Sequence, residues 1–207
     1  MTTQRILVAS RNAKKLAELR RVLDAAGIVG LDVVGLDAVP EYPEEPETGA
    51  TFEENALIKA RSGAAATGLV CLADDSGLAV DALNGMPGVL SARWSGGHGD
   101  DAANNELLLN QISDVPDERR GAAFVSACAL VGPNGDETVV RGEWRGVMLR
   151  APRGDNGFGY DPLFVPDDAV ASGRASAELS ASEKDALSHR GKALAQLVPA
   201  LRSLAGQ

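Results

Sequence analysis

Two adjacent carboxylates, Asp74 and Asp75, follow the apolar run Leu69–Ala73 and precede Ser76-Gly77. Ligands and catalytic groups of open α/β sheets gather at strand ends. The pair therefore reads as a catalytic or ligand-binding position at the end of a strand, followed by a Ser-Gly turn. Neighbouring side chains on a strand point to opposite faces, so one aspartate is expected to face the chemistry while the other braces a loop. The bland alternative is an Asx-turn carrying two solvated acids, and the sequence leaves open whether Asp74 or Asp75 takes a proton.

Four other stretches carry chemistry of a related kind. Ser10-Arg11-Asn12-Ala13-Lys14-Lys15 stands between an aliphatic run and a helical pattern; unpaired N–H groups at a helix start hold anions, so this turn is a phosphate seat or, more plainly, an N-cap with solvated lysines. No GxxxxGK[ST] loop is present. In Gly154-Asp155-Asn156-Gly157-Phe158-Gly159-Tyr160-Asp161-Pro162 two aromatic rings sit among glycines. They either stack on a planar base or pin a tight turn, and GxxGxG is not the dinucleotide-binding order. Lys184 and Ser188 are i, i+4 and share a helical face, with His189 and Arg190 turned about 100° and 200° further round. From Ser172 onward five basic residues stand against three acidic ones, so this segment is locally positive. Glu41–Glu54 holds six glutamates and no lysine or arginine, in the ordinary case a solvated loop. With only His98 and His189, and no clustered cysteine, any metal must be held by oxygen, which selects Mg²⁺ or Mn²⁺ recruited with a phosphate substrate.

The elements that must position these groups alternate. Arg5–Ala9 reads as a strand. Leu16, Leu19, Leu23 and Ala26 trace an amphipathic helix ending near Gly27, and Asp32–Leu36 is a second strand. Thr51–Ala66 reads as a second helix and Leu69–Ala73 as a third strand. Such alternation makes the sheet at least partly parallel. Ala122–Val131 and Glu137–Arg141 flank Gly132-Pro133-Asn134-Gly135 and form a hairpin, so the sheet is mixed. Ser180 and Glu183 spell a capping box for a last helix beginning near Ala181, which Pro199 should kink or divide.

At 207 residues, 44% hydrophobic and 24% charged, the chain has the composition of a soluble globular domain. A net charge of −9 argues against sequence-blind binding to nucleic acid or anionic lipid. Ala122–Val131, the longest apolar run, falls far short of the roughly 20 residues of a membrane span. The apolar stretch Ile6–Ala9 is too short for a signal-peptide core, so the cytoplasm is expected. Cys71 and Cys128 read as two reduced core thiols.

Taken in order, the blocks SRNAKKLAELRRVL, ETGATFEENALIKA, ADDSGLAVDALNGMPGVLSARWSG, DERRGAAF, GFGYDPLF and AELSASEKDALSHRG closely resemble the inosine triphosphate pyrophosphatase family, from residue 10 to 191. The resemblance implies a Mg²⁺-dependent hydrolase (Mn²⁺ as the substitute) that converts dITP, ITP and XTP to the monophosphate and pyrophosphate. It implies an elongated, two-lobed α/β domain over residues 1–207, built around a long mixed β-sheet with a central cleft, working as a homodimer. In the family's phosphate turn, usually T-G-N-x-x-K, Ser10 and Arg11 replace the first two residues while Asn12 and Lys15 match, with Ala13 and Lys14 between. Asp75 matches the catalytic base and metal ligand, Ser76 a substrate contact, Lys59 a lysine near the triphosphate, and Glu41 a magnesium ligand. Phe158, Gly159, Tyr160, Asp161, Lys184, His189 and Arg190 match nucleotide-binding positions. The expected chemistry is attack on the α-phosphorus by a water that Asp75 aligns and deprotonates. The alternatives are a pyrophosphatase for modified pyrimidine or other triphosphates, and a nucleotide sensor that does not hydrolyse. A serine hydrolase using Ser76 is disfavoured because no GxSxG occurs.

Overall fold

The computed structural model describes residues 3–168, 172–180, 183–184 and 187–207, with the backbone alone for Ala13 and Lys14. Among them, strands β1 (Gln4–Val8), β2 (Leu31–Val34), β3 (Val70–Val80), β4 (Gly121–Val131), β5 (Glu137–Met148) and β6 (Phe164–Pro166) form a six-stranded sheet in the order β2-β1-β3-β4-β5-β6. β1 runs parallel to β2 and to β3, and β5 is antiparallel to β6. The sheet is mixed, as the two kinds of connection require. The helices are α1 (Ala13–Ala25), α2 (Phe52–Thr67), α3 (Asp101–Gln111) and α4 (His189–Leu204). No described helix is long and apolar enough to cross a membrane.

Local chemistry explains the element ends. The Thr51 hydroxyl accepts from the Glu54 N–H at 3.2 Å while the Glu54 carboxylate accepts from the Thr51 N–H at 3.2 Å, so α2 starts on a complete capping box. It stops at Gly68, whose φ of 68° is left-handed and whose N–H returns to the Ala64 carbonyl. Between β4 and β5 the chain reverses through Gly132, whose N–H bonds the Asp136 carbonyl at 2.8 Å.

Three expectations need correction. β3 does not end at Ala73: it continues to Val80, so Asp74, Asp75, Ser76 and Gly77 lie inside a strand and form no turn. Leu78 and Val80 resume the buried alternation. Gly77 is there because a Cβ would collide with Ser91 Oγ, which itself accepts the Leu78 N–H at 2.9 Å. β5 outlasts Arg141 and runs to Met148 with alternate residues buried. Of the kink or division expected at Pro199, the division is absent, since α4 continues through it as one helix. The Ser180–Glu183 capping bonds are present, Ser180 N–H to the Glu183 carboxylate at 2.9 Å and Glu183 N–H to Ser180 Oγ at 3.3 Å. The expected helix start at Ala181 lies outside the described residues.

The described residues fall into two compact units, one of residues up to Asp75 with Ser126–Gly142 and Arg190–Gln207, the other of Ser76–Val125 with Glu143–His189. The first unit packs Ile6, Val8, Leu19, Leu23, Val33, Val70, Leu72, Leu194, Leu197 and Leu201 around Cys128. The second packs Leu78, Val80, Leu108, Ile112, Phe124, Trp144, Leu163 and Phe164. There Phe124 meets Phe164 edge-on at 4.8 Å, a geometry aromatic quadrupoles favour.

Candidate active site

Alternation along β3 gives the two aspartates different partners. Asp74 Oδ1 accepts the Lys15 ammonium from α1 at 2.8 Å, and its Oδ2 accepts Arg190 Nε from α4 at 3.1 Å. Arg190 Nη1 also lies 3.6 Å from Glu18 of α1, so two cations and two anions balance within a nearly dry cluster. Asp74 therefore braces helices and not the loop expected from the sequence. Asp75 turns to α2: Asn55 Nδ2 donates to its Oδ2 at 3.2 Å and Lys59 Nζ to its Oδ1 at 3.2 Å. Asn55 and Lys59 are one helical turn apart and share a face. Lys59 is held on its other side by Glu47 at 3.1 Å, and Asn55 Oδ1 accepts the Gly49 N–H at 2.8 Å, which ties the acidic segment to the site.

These environments push the two carboxyls apart. Burial works to raise Asp74, yet Lys15 and Arg190 outweigh it and hold its pKa well below the usual carboxylate range. For Asp75 burial wins: desolvation, reinforced by the like charge of Glu47, raises its pKa against the opposing pull of Lys59. Burial likewise works against the Lys59 ammonium, but Asp75 and Glu47 overcome it and raise its pKa. Asp74 is thus held as an anion, and Asp75 is the more basic of the two carboxylates.

Around Asp74, Val8, Leu72, Cys128 and Leu194 complete an apolar lining with Lys15 and Arg190. Burial pushes both thiols, Cys71 and Cys128, up to about 12. They are free, protonated core groups and not nucleophiles.

The phosphate turn is less committed. Ser10 Oγ accepts the Asn12 N–H at 3.1 Å, and the Asn12 carbonyl takes the Lys15 N–H at 3.0 Å to begin α1. Arg11 is exposed and paired with Glu44 at 2.9 Å. The side chains of Ala13 and Lys14 lie outside the described residues. Glu41 is exposed, and Glu47 is the member of the acidic run that reaches Asp75's lysine. Among the described residues no three His, Cys, Asp or Glu side chains converge as a metal-holding group. The carboxylates of Asp75 and Glu47, meeting at one ammonium, are nevertheless the hard oxygen donors that Mg²⁺ takes, alongside water and substrate phosphate.

In the second unit Ser76 is half-buried in β3. The glycine-rich loop separates its two rings. Tyr160 is buried and donates its hydroxyl to the Ser91 carbonyl at 2.8 Å, whereas Phe158 is 60% exposed with Lys184 Nζ 5.4 Å from its ring centre. Asp161, 2% exposed, is the anchor: it accepts the Phe158 N–H at 2.9 Å, Ser176 Oγ at 2.8 Å and the Lys184 ammonium. Gly157 has φ of 85°, and a Cβ on it would collide with Asp161. Gly159 bonds Asp101 and Asn105 of α3. The His189 ring stacks on Phe124 at 5.2 Å. Glu18, Glu47, Asn55, Asp101 and Asn105 were not singled out from the sequence. Asn55 alone had a usable signal, its one-turn spacing from Lys59.

Residues 6–200 match the Ham1 family. The chain belongs to that family. A dITP/XTP pyrophosphatase of Nocardia farcinica is 73% identical over 205 residues, covering 99% of this chain and 98% of its own. The crystal structure of a nucleoside-triphosphatase, dITP/XTP pyrophosphatase, from Mycobacterium abscessus superimposes with a TM-score of 0.82 at 68% identity, covering 96% of this chain and 100% of that one. A HAM1 protein from Coxiella burnetii gives 0.85 at 41% identity over 97% and 99% of the two chains. The resemblance read from the motifs, and the α/β fold with a mixed sheet, are those of the Ham1 family.

Proposed function

We propose that this Ham1-family protein hydrolyses dITP, ITP and XTP to the monophosphate and pyrophosphate. The observation that carries the reading is the split between neighbouring aspartates, one locked as an anion by Lys15 and Arg190, the other raised and held by Asn55 and Lys59. The names of the relatives, dITP/XTP pyrophosphatases at up to 73% identity, support the substrate class.

Asp75 aligns the attacking water and accepts its proton as the water adds to the α-phosphorus. Asn55 and Lys59 hold the carboxylate in place, and Lys59 and Lys15 offset charge on the triphosphate and the departing pyrophosphate. Mg²⁺, or Mn²⁺ in its place, would be held by Asp75 with Glu47, and with Glu41 by the family resemblance. When bound it neutralises charge on phosphate oxygens. Phe158 offers a ring face for the purine, flanked by Lys184. Hypoxanthine and xanthine present a 6-oxo acceptor where adenine presents an amino donor, so donors at His189 or nearby backbone favour the former. Facing such a donor with an amino group costs ~1–3 kcal/mol, roughly ten- to hundredfold per contact. A cytoplasmic homodimer is part of the same reading.

The test is pyrophosphate release from dITP, XTP, GTP and ATP with Mg²⁺ and with chelator. Release from dITP and XTP well ahead of ATP, abolished by chelator, is expected. Equal cleavage of ATP, or release confined to modified pyrimidine triphosphates, would refute the purine reading, and no release at all would make the protein a sensor.

A further inference from the structure

Outside the motifs, one helix meets the glycine-rich loop at a single residue. Asp101 Oδ2 accepts the Gly159 N–H at 2.6 Å, and Asn105 Nδ2 donates to the Gly159 carbonyl at 2.9 Å. The two side chains are i, i+4 on α3 and share a face. The N–H of Gly159 belongs to the peptide plane joining it to Phe158, and its carbonyl to the plane joining it to Tyr160. Holding both fixes both backbone torsions of a glycine that sits at φ of 60°. Tyr160 is already fixed through Ser91, so what the clamp adds is the direction of the exposed Phe158 ring.

Two details argue that these bonds serve the loop more than they serve α3. Asp100, not Asp101, caps the helix, accepting the Ala103 N–H at 3.0 Å. Asn105 Oδ1 is buried and meets no hydrogen-bond donor among the described residues. A packing position would be filled more cheaply by an apolar side chain, since an unmet buried acceptor destabilises the fold. The Gly159 bond is what the carboxamide supplies.

We propose that Asp101 and Asn105 are positioning residues for base recognition, locking Gly159 so that Phe158 presents its ring to the purine. The inference rests on the reading that this loop meets the base. It predicts an effect on binding of nucleotides and none on the phosphate chemistry, because neither residue touches the reacting groups.

The experiment compares Asp101→Ala, Asn105→Ala and Asp101→Asn by hydrogen exchange of loop 156–163 and by kinetics on XTP and dITP, with inorganic tripolyphosphate as a competitor that lacks a base. Both alanine variants are expected to exchange the loop amides faster and to raise KM for XTP about tenfold, the size of one lost hydrogen bond that ordered the loop before the nucleotide binds. In both, kcat stays within about twofold, the pattern of lost ground-state binding. Inhibition by tripolyphosphate stays as in the parent, and Asp101→Asn, which keeps an acceptor, restores KM. Unchanged exchange in both alanine variants would overturn the clamp. Faster exchange with unchanged KM, or equal weakening toward tripolyphosphate, would overturn its role in base recognition. A parent protein that treats XTP and ATP alike would overturn the functional reading and the base-binding half of this proposal, while the exchange data still decide the clamp.

Discussion

Around Asp74 and Asp75 the groups are held by charge: Lys15, Arg190 and Glu18 on one side of β3, Lys59 and Glu47 with Asn55 on the other. Around Phe158 they are held by the backbone. There the Phe158 and Gly159 peptide groups are bound to Asp161, Asp101 and Asn105, while the ring itself stands exposed. Under the proposed function the difference follows what each region would meet. Phosphate carries charge, which ionic partners can balance. A flat base carries little charge and is judged by shape and hydrogen-bond direction, which a glycine loop supplies only when directed bonds remove its freedom.

The largest test of this contrast is Asp75→Asn. It should fold and lose about 10²–10⁴-fold in turnover, the usual contribution of a positioned base. Because its folded pKa is raised, the group's stabilising contribution is fully present below its unfolded pKa and is lost as pH rises through the folded value. At neutral pH the asparagine variant should therefore melt no lower than the parent, and the parent's rate should fall in acid at a pH above the ordinary carboxylate value. Turnover near that of the parent in a steady-state assay would remove Asp75 from the mechanism.

Asp74→Asn should show the reverse balance. Lys15 and Arg190 lose their shared counter-ion, and breaking such a buried pair costs about 3 kcal/mol in urea unfolding at neutral pH. The folded pKa is depressed, so this stability is fully present above the unfolded pKa of roughly 4 and disappears only as pH falls further. The gap between parent and variant should persist at pH 6 and close in strong acid; equal stability at neutral pH would show that Glu18 suffices. The smallest effect is expected at Arg11→Ala. Its pair with Glu44 leaves the two side chains 81% and 56% exposed, worth under about 0.5 kcal/mol. A larger loss would mean that the phosphate turn is held as tightly as Asp74.

Elements whose signals are local were legible: β1, α1, α2 and the reversal at Gly132 all announce themselves within a few residues. The middle of β3 did not, because two acids and Ser-Gly read as a turn when their partners are out of sight. Lys15, Asn55, Lys59 and Arg190 satisfy them from distant positions in the chain. α3 was invisible because only Asn104 and Leu108 are buried on it, too few to set a helical period. Glu47 was lost among six similar glutamates.

The sequence by itself determined the inventory of chemical groups, their grouping into motifs and the elements that begin and end on local caps. Tertiary structure alone decided which aspartate is held as an anion and which has its pKa raised, and which acidic residue joins the lysine. A pKa is set by burial and by charges within a few ångströms, and those neighbours are chosen by the packing of helices against β3, not by proximity along the chain.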